Sequence, residues 1–509
     1  MLQLPHARRL PWPTWWLAAV ALAAMALAFQ GTRALWEPDE GRYTAVALQM
    51  LDSGDWLTPR LNDAQLHVTK PPLSYWAIAA SLGVFGQSAW AARVPNALAF
   101  VLTGLFVLGL GQRLVPARPW LPVLLWGSSL LPVLAANVVS TDALLALWET
   151  AAVFAFVRGA GSGHRRERWY LLMWLAFGLG FLTKGPPALL PLLPILLWSA
   201  LAGGRSAVLR LFPLPGLAGF ALLGGGWFAW MLVQRPALLG YFLGHEVVER
   251  LFSATLRRNP EWYGPAKIYL PVLVLCVLPW LGLARGWLSA APGLIQPAAW
   301  RRRMVADRAG AFLLLWLLLP LAVFTLARSR QFLYVLPLAV PIALLLARQL
   351  SARFGAQVPA RWRRALALWP LVALVGKGAL MAMPTHKDAA VQAAALAGHL
   401  AGVDRIVFVG ERAHYGLRFY TGRQVEQRAL GARARLDGEL CRAAAGNPQA
   451  LLVGPVWASG HHPPCAIEPL VGGEWPLWRA RHPDRAAPVD IATFPTTWST
   501  PEWTAHPQS

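Results

Sequence analysis

The chain has 509 residues, 56% hydrophobic and 14% charged, with 46 Lys and Arg against 24 Asp and Glu for a net charge of +22. That apolar fraction excludes a disordered chain and an ordinary soluble domain. The basic residues scatter through short Arg-rich loops and form no continuous patch interleaved with aromatics, which excludes a nucleic-acid partner.

Apolar runs of roughly 17–25 residues, the length that crosses ~30 Å of hydrocarbon, recur from residue 15 to about residue 383. They read as an all-α polytopic membrane protein, and the 27 Trp suit its two interfaces. The first run, Trp15 to Phe29, follows Arg8 and Arg9, and no polar cleavage region comes after it. An uncleaved signal-anchor with its amino end in the cytoplasm is expected. Directly beyond it stands Trp36-Glu37-Pro38-Asp39-Glu40-Gly41-Arg42-Tyr43, an acidic pair at a membrane edge, where carboxylates are costly unless paired or functional. Pro71 to Gly86 is apolar but short and opens on two prolines, so it is expected to lie along the outer interface without crossing.

The eleven candidate spans are about 14–30, 90–112, 119–138, 143–158, 169–183, 187–203, 213–234, 268–284, 310–327, 331–347 and 365–383. With the first leaving the cytoplasm, the basic clusters at 163–168, 301–303 and 361–364 all fall inside, as the positive-inside rule requires. The bacterial inner membrane is the expected location, with the loops at 31–89, 139–142 and 235–267 on the periplasmic face. An odd number of spans leaves the carboxyl end outside. There, residues 384–509 read as a small α/β domain: an amphipathic helix from His386 to Leu400, and buried strands at Arg405–Val409 and Ala450–Val453. Cys441 and Cys465 in it permit a disulfide, and the stretch from about Asp484 reads as loosely ordered. The transmembrane unit is expected over 1–383.

On the outer side, charges recur at successive membrane edges. Asp39, Glu40 and Arg42 lie in the first loop, and Lys70 ends it. Asp142 lies in the second loop and Lys184 in Thr183-Lys184-Gly185-Pro186. His245 to Arg250, with Arg257 and Arg258, lie in a fourth, and Arg328 and Arg330 before Tyr334 in a fifth. With five Lys in a chain dominated by Arg, Lys70, Lys184 and Lys267 sit at outward edges where the charge rule disfavours them, and snorkelling is the alternative reading for the last two. Such a set suits a phosphorylated lipid: Lys supplies a point charge, Arg a planar fork, and a carboxylate binds a metal or takes a proton.

Asp39-Glu40-x-Arg42-Tyr43 after the first span, Lys70-Pro71, Thr141-Asp142, Thr183-Lys184-Gly185-Pro186, His245-x-x-x-x-Arg250-Leu251-Phe252 and Ser329-Arg330-x-x-x-Tyr334-x-Leu336-Pro337 occur in order. Together they resemble the aminoarabinose transferases of lipid A, within the polyprenyl-phosphate-sugar glycosyltransferases that include protein O-mannosyltransferases. The resemblance runs from about residue 15 to 350 and implies a GT-C fold. It also implies an enzyme that moves a sugar, with inversion, from undecaprenyl phosphate to lipid A or another envelope glycan. By the same resemblance Asp39, Glu40 and Asp142 are the catalytic acids, and Arg42, Lys70 and Arg250 hold the donor phosphate. Tyr43, Lys184, His245, Arg330 and Tyr334 line the cavity. The family's metal site uses a histidine and a Glu just before the Lys; here Thr69 takes the Glu position. That leaves His245 and Asp39 as candidate ligands for a divalent metal. Transfer to protein Ser/Thr or to O-antigen is the alternative of the same fold. A lipid-sugar transporter fits less well, because the charges collect at one face.

Overall fold

The computed structural model describes residues 10–162, 165–242, 244, 259–278, 280, 306–355, 357–430, 436–459, 462–470 and 475–480. His245, Arg250, Arg257, Arg258, the Arg301–Arg303 cluster and the tail from Asp484 lie outside them. So does His164.

Long apolar sequences fold here as helices because only an intrasegment hydrogen-bond ladder satisfies the backbone in hydrocarbon. The membrane part contains α1 (Trp12–Leu27), α4 (Ala89–Leu114), α7 (Thr141–Ala160), α8 (Arg166–Lys184), α9 (Leu192–Leu209), α10 (Leu214–Phe220) and α11 (Gly226–Gln234). It continues with α12 (Gly264–Val277), α13 (Arg308–Leu326), α14 (Ala339–Phe354) and α15 (Ala360–Ala382). Seven helical segments among the described residues are long and apolar enough to cross a bilayer, α4 at 26 residues the longest. At 1.5 Å per residue α4 reaches about 39 Å. The protein is a multi-pass membrane protein.

The expected span 119–138 is instead two short helices, α5 (Leu121–Gly127) and α6 (Leu130–Ala135), broken at Ser128 and Ser129. The break is tolerated because it is buried and bonded. The serine hydroxyls donate to Leu124 O and Leu125 O, both 2.7 Å, and Trp369 Nε1 donates to Ser128 O at 2.8 Å.

At one end of the bundle the Arg-rich connections meet. Arg348 pairs with Asp307 at 2.6 Å and donates to Leu114 O at 2.5 Å, and Arg118 reaches Gly355 O. At the opposite end lie α2 (Asp39–Ser53), α3 (Leu73–Phe85) and the sheet. Both ends of α3 stay on that side: Trp76 Nε1 donates to Trp56 O, and beyond its far end Gln87 donates to Phe419 O, both 2.5 Å. At 13 residues, about 20 Å, α3 is shorter than the ~30 Å of hydrocarbon that a span must cross.

Among the described residues the sheet has five strands in the order β2-β1-β3-β5-β4. These are β1 (Arg405–Val409), β2 (Gln424–Arg428), β3 (Ala450–Val453), β4 (Ile467–Leu470) and β5 (Leu477–Ala480). β1 runs parallel to β2 and β3, and β5 runs antiparallel to β3 and β4. Period-two alternation splits β1 between two cores. Val407 and Val409 pack on α18 (Leu436–Gly446) with Leu436 and Leu440. Ile406 and Phe408 join Leu35, Val46, Met50 and Tyr75 of the first outer loop, α2 and α3. Sheet and first loop thus share one hydrophobic core. A disulfide joins Cys441 to Cys465. Between strands and bundle lie α16 (Ala389–Leu396) and α17 (Gly416–Thr421), the latter bonded to α2: Arg418 reaches Gln49 Oε1 at 2.6 Å and Asp52 Oδ2 at 2.7 Å. Gly41 and Gly416 have no room for a Cβ, because each packs against Glu37 and the other's backbone.

Candidate active site

The acidic pair splits at the first turn of α2, where a helix N-terminus favours carboxylates. Glu40 points inward and is 1% exposed. Its Oε2 accepts from Arg33 at 2.7 Å, Arg93 at 3.0 Å and the Trp36 amide at 2.8 Å. Its Oε1 accepts from Arg93 Nε and the Val139 amide, both 2.9 Å. Despite burial, the two guanidiniums and their hydrogen bonds hold the carboxylate down to about 2. The expectation that Glu40 acts in catalysis is corrected here: both oxygens are saturated and neither faces the cavity. Arg93, buried in α4, also donates to Gln30 O, Arg33 O and Ala34 O. Arg33 donates to Asn137 O at 2.9 Å and lies over the Trp36 ring. First loop, α4 and the approach to α7 are tied into one knot.

Asp39 turns outward. Its side chain is 46% exposed and pairs with Arg42 at 2.5 Å. Arg42 extends past the Tyr43 ring, and Tyr43 packs on Tyr75 with ring centroids 5.8 Å apart. Burial raises the Tyr43 phenol, with the charges of Arg42, Asp39, Asp142 and Lys184 all acting on it. Asp39, Arg42, Asp142 and Lys184 therefore all lie within electrostatic reach of Tyr43. Lys184 forms an ion pair with Asp142 and sits 4.5 Å over the Tyr334 ring. Ser140 caps α7, its hydroxyl accepting from the Asp142 amide at 3.3 Å, and so fixes Asp142 at the helix start. Gly185, at φ 77, ends α8 directly after Lys184.

Lys70 closes the first loop, its Nζ donating to Thr69 O at 2.7 Å. His67 contacts Thr69 Oγ1 at 2.9 Å. Burial, with the Arg42 and Lys70 charges nearby, pushes its imidazole well below its ordinary range, so it is neutral. Arg330 departs from expectation. It is 6% exposed, and its guanidinium donates to Asn259 O, Glu261 O and Thr325 O. It therefore staples two chain segments and does not line the cavity. Among the described residues no group of three His, Cys, Asp or Glu converges as a metal site. His245 and Arg250 lie outside the described residues.

Glu37 was not singled out by the sequence. Its Oε1 accepts the Gly416 amide of α17, and Oε2 is buried without a partner. Burial raises this carboxyl to about 7, against the Gly416 bond and the charges of Arg412 and Arg42. Arg33, Arg93 and Glu149 were also missed, though for Arg93 in α4 and Glu149 in α7 an ionisable residue inside an apolar helix is itself a signal.

Residues 69–230 match a family model described as dolichyl-phosphate-mannose-protein mannosyltransferase. The chain is 35% identical over 324 residues to the undecaprenyl phosphate-alpha-4-amino-4-deoxy-L-arabinose arabinosyl transferase 2 of Sodalis glossinidius, covering 62% of this chain and 56% of that one. It is 32% identical over 339 residues to the corresponding transferase of Edwardsiella ictaluri, covering 65% and 58%. Its fold matches the crystal structure of ArnT from Cupriavidus metallidurans bound to undecaprenyl phosphate, with a TM-score of 0.69, 21% identity, and 94% and 100% coverage. The chain resembles the lipid A aminoarabinose transferases. Its fold is of the GT-C type. The match spans less than three-fifths of the length of these curated relatives. Of the motif residues, Asp39, Arg42, Asp142 and Lys184 lie within electrostatic reach of Tyr43, and Tyr334 lies under Lys184.

Proposed function

We propose that the protein is an integral-membrane glycosyltransferase. It moves a sugar from undecaprenyl phosphate to lipid A or another envelope glycan at the periplasmic face of the bacterial inner membrane. Residues 1–383 serve as the catalytic unit and 384–509 as a periplasmic domain. The observation that carries this reading is that two ion pairs from separate helices, Asp39–Arg42 and Asp142–Lys184, gather within electrostatic reach of Tyr43.

In this reading Arg42, Lys70 and Arg250 receive the donor phosphate. The acceptor oxygen attacks the anomeric carbon while the bond from that carbon to the phosphate oxygen breaks. The electron pair leaves with undecaprenyl phosphate, and a single displacement inverts the centre. Cations placed in advance stabilise the charge growing on the leaving phosphate. Asp39, exposed and held by Arg42, orients the acceptor; it takes the proton when the acceptor is a hydroxyl, and none when it is an ionised phosphate. Arg42 serves both, since phosphate binding draws its guanidinium from Asp39 and frees that carboxylate for the acceptor.

The test is reconstitution of the full chain in liposomes with an undecaprenyl-phosphate sugar and lipid A, read by mass spectrometry. A mass increase of one sugar on lipid A supports the reading. Donor turnover onto a protein or O-antigen acceptor alone moves the assignment to the alternative acceptors. No donor consumption with any acceptor refutes transferase activity.

A further inference from the structure

The end of the bundle opposite the candidate active site carries two cations that no described carboxylate pairs with. Arg113 stands in the last turn of α4 and Arg158 in the last turn of α7, the latter about 24 Å along the helix from Asp142. The two charges lie within electrostatic reach of each other. Arg113 donates to Val157 O at 3.4 Å and packs so closely on Gly161 that a Cβ there would collide with its Nη1. Arg158 lies over the rings of Trp169 and Phe154, 5.2 and 5.9 Å from their centroids. Neither forms an ion pair among the described residues, and the Nε of each is buried without a hydrogen-bond partner.

Helix ends account for part of this charge. The last carbonyls of α4 and α7 each carry about half a negative charge, so together they offset about one of the two guanidiniums. The surroundings add more of the same sign. Arg166 and Arg210 act on Tyr170, whose ring packs against Gly159 between Arg158 and Gly161. Glu167, in the first turn of α8, is exposed and forms no ion pair among the described residues. An anion from outside the protein closes the balance, and phosphate offers oxygens that accept from two guanidiniums at once. The neighbouring surface says which phosphate. Phe106 of α4, Phe154 of α7 and Trp169 of α8 form a half-buried aromatic seam, with successive rings 5.2 and 5.9 Å apart. Phe106 lies two turns, about 10 Å, deeper in the bundle than Arg113. A free phosphate makes no use of that seam, whereas an acyl chain lies along it.

We propose that Arg113 and Arg158 bind the phosphate of an anionic phospholipid, with an acyl chain along the Phe106–Phe154–Trp169 seam. The site selects by charge. A zwitterionic headgroup brings the same phosphate, but its ammonium enters a field set by Arg113, Arg158, Arg166 and Arg210 and is repelled. Basic pockets between transmembrane helices hold anionic headgroups in this way. At the other end of the bundle Asp142 and Lys184 already pin α7 to α8; here the lipid ties α4 to α7, where no described carboxylate does so. The site stands whether or not the protein transfers a sugar.

The experiment measures lipid binding to the full-length protein in detergent by native mass spectrometry. The probes are phosphatidylglycerol, phosphatidylethanolamine with the same acyl chains, and inorganic phosphate. The wild type should bind phosphatidylglycerol at least about tenfold more tightly than phosphatidylethanolamine. A cation beside an anionic headgroup is worth about fivefold in affinity, so Arg113→Gln combined with Arg158→Gln should weaken phosphatidylglycerol about thirtyfold. Removing two exposed charges elsewhere at that end, with Arg361→Gln and Arg363→Gln, should leave its binding as in the wild type. Gly161→Ala keeps every charge but displaces the Arg113 guanidinium, and should weaken phosphatidylglycerol as well. Equal wild-type affinity for the two lipids overturns the proposal even where the variants cannot be purified. So does an equal loss in the Arg361 and Arg363 variant, which marks diffuse surface charge. Displacement of the lipid by inorganic phosphate at equal concentration also overturns it, in favour of a free-anion site.

Discussion

Glu40→Gln keeps the shape of the side chain and removes its charge, leaving Arg33 and Arg93 buried with one neutral acceptor between them. The ordinary carboxyl value of 4.5 drops to about 2 in the fold. At about 1.4 kcal/mol for each tenfold change in proton affinity, that drop is worth about 3 kcal/mol. Breaking a buried ion pair from one side costs about 3–5 kcal/mol, the same scale. The local consequence is readable at two amides, because Trp36 and Val139 donate to this carboxylate. Their hydrogen exchange should rise about a hundredfold in Glu40→Gln, as about 3 kcal/mol implies. The same term has a pH signature. A carboxylate held below its unfolded value contributes its full stability above about pH 4.5 and loses it as pH falls toward about 2. The wild type should therefore lose protection at these amides across that window, and the variant should show no such loss. Unchanged exchange together with abolished turnover would refute the structural role and return Glu40 to the chemistry.

Four further outcomes are expected. Asp39→Asn should lower turnover about 10²-fold or more with little change in donor affinity; recovery of turnover on adding Arg42→Gln would mark a merely structural pair. Lys70→Ala should lose most transfer while still inserting, and wild-type turnover would make Lys70 an interfacial anchor only. Glu37 titrates the opposite way from Glu40: its carboxyl is raised to about 7, so it supports sheet docking fully below about pH 4.5 and less as pH rises through about 7. Exchange at the Gly416 amide should increase over that interval in the wild type and stay flat in Glu37→Gln. Reporter fusions should place residues 164 and 362 inside and residues 60, 142 and 450 outside; an inside position for residue 142 would dismantle the site.

The membrane architecture was legible because hydrocarbon imposes its rule segment by segment: length and apolarity alone mark a span, and Arg-rich loops mark its inner end. The broken segment 121–135 was not, because Pro122 and Pro132 read equally well in a continuous kinked span, and the Trp369 bond that satisfies Ser128 O at the break comes from outside the segment. Strands β1 and β3 were visible as buried apolar runs, whereas β2, Gln424-Val-Glu-Gln-Arg428, carries too little apolar signal to be separated from a loop. In the site, Asp39, Arg42, Asp142 and Lys184 were found from charge at membrane edges together with the family motifs. The division between Asp39 and Glu40 was not readable, since nothing local says which of two adjacent acids turns inward. That depends on Arg33 and Arg93, the second of them 53 positions away.

The two acids illustrate how this loop separates stability from reactivity. The Asp39–Arg42 pair, with 46% of the Asp39 side chain and 18% of the Arg42 side chain exposed, meets solvent on its carboxylate side, where screening weakens an ion pair. Its partners can therefore be exchanged for a phosphate or an acceptor at small cost. Glu40, one residue on, is fixed by five donors and cannot be exchanged for anything. The backbone between them inherits that rigidity. Three other ties act on the same loop. Lys377 of α15 donates to Met25 O and Ala26 O at the end of α1, Glu37 accepts from Gly416 of α17, and the Leu35 amide donates to Tyr420 Oη. Bundle and sheet thus hold the loop from opposite sides, leaving Asp39 and Arg42 as its adjustable elements. The transfer proposed above would need that arrangement, since a lipid phosphate leaves and another enters at each cycle: fixed carbon positions, with charge pairing weak enough to be remade.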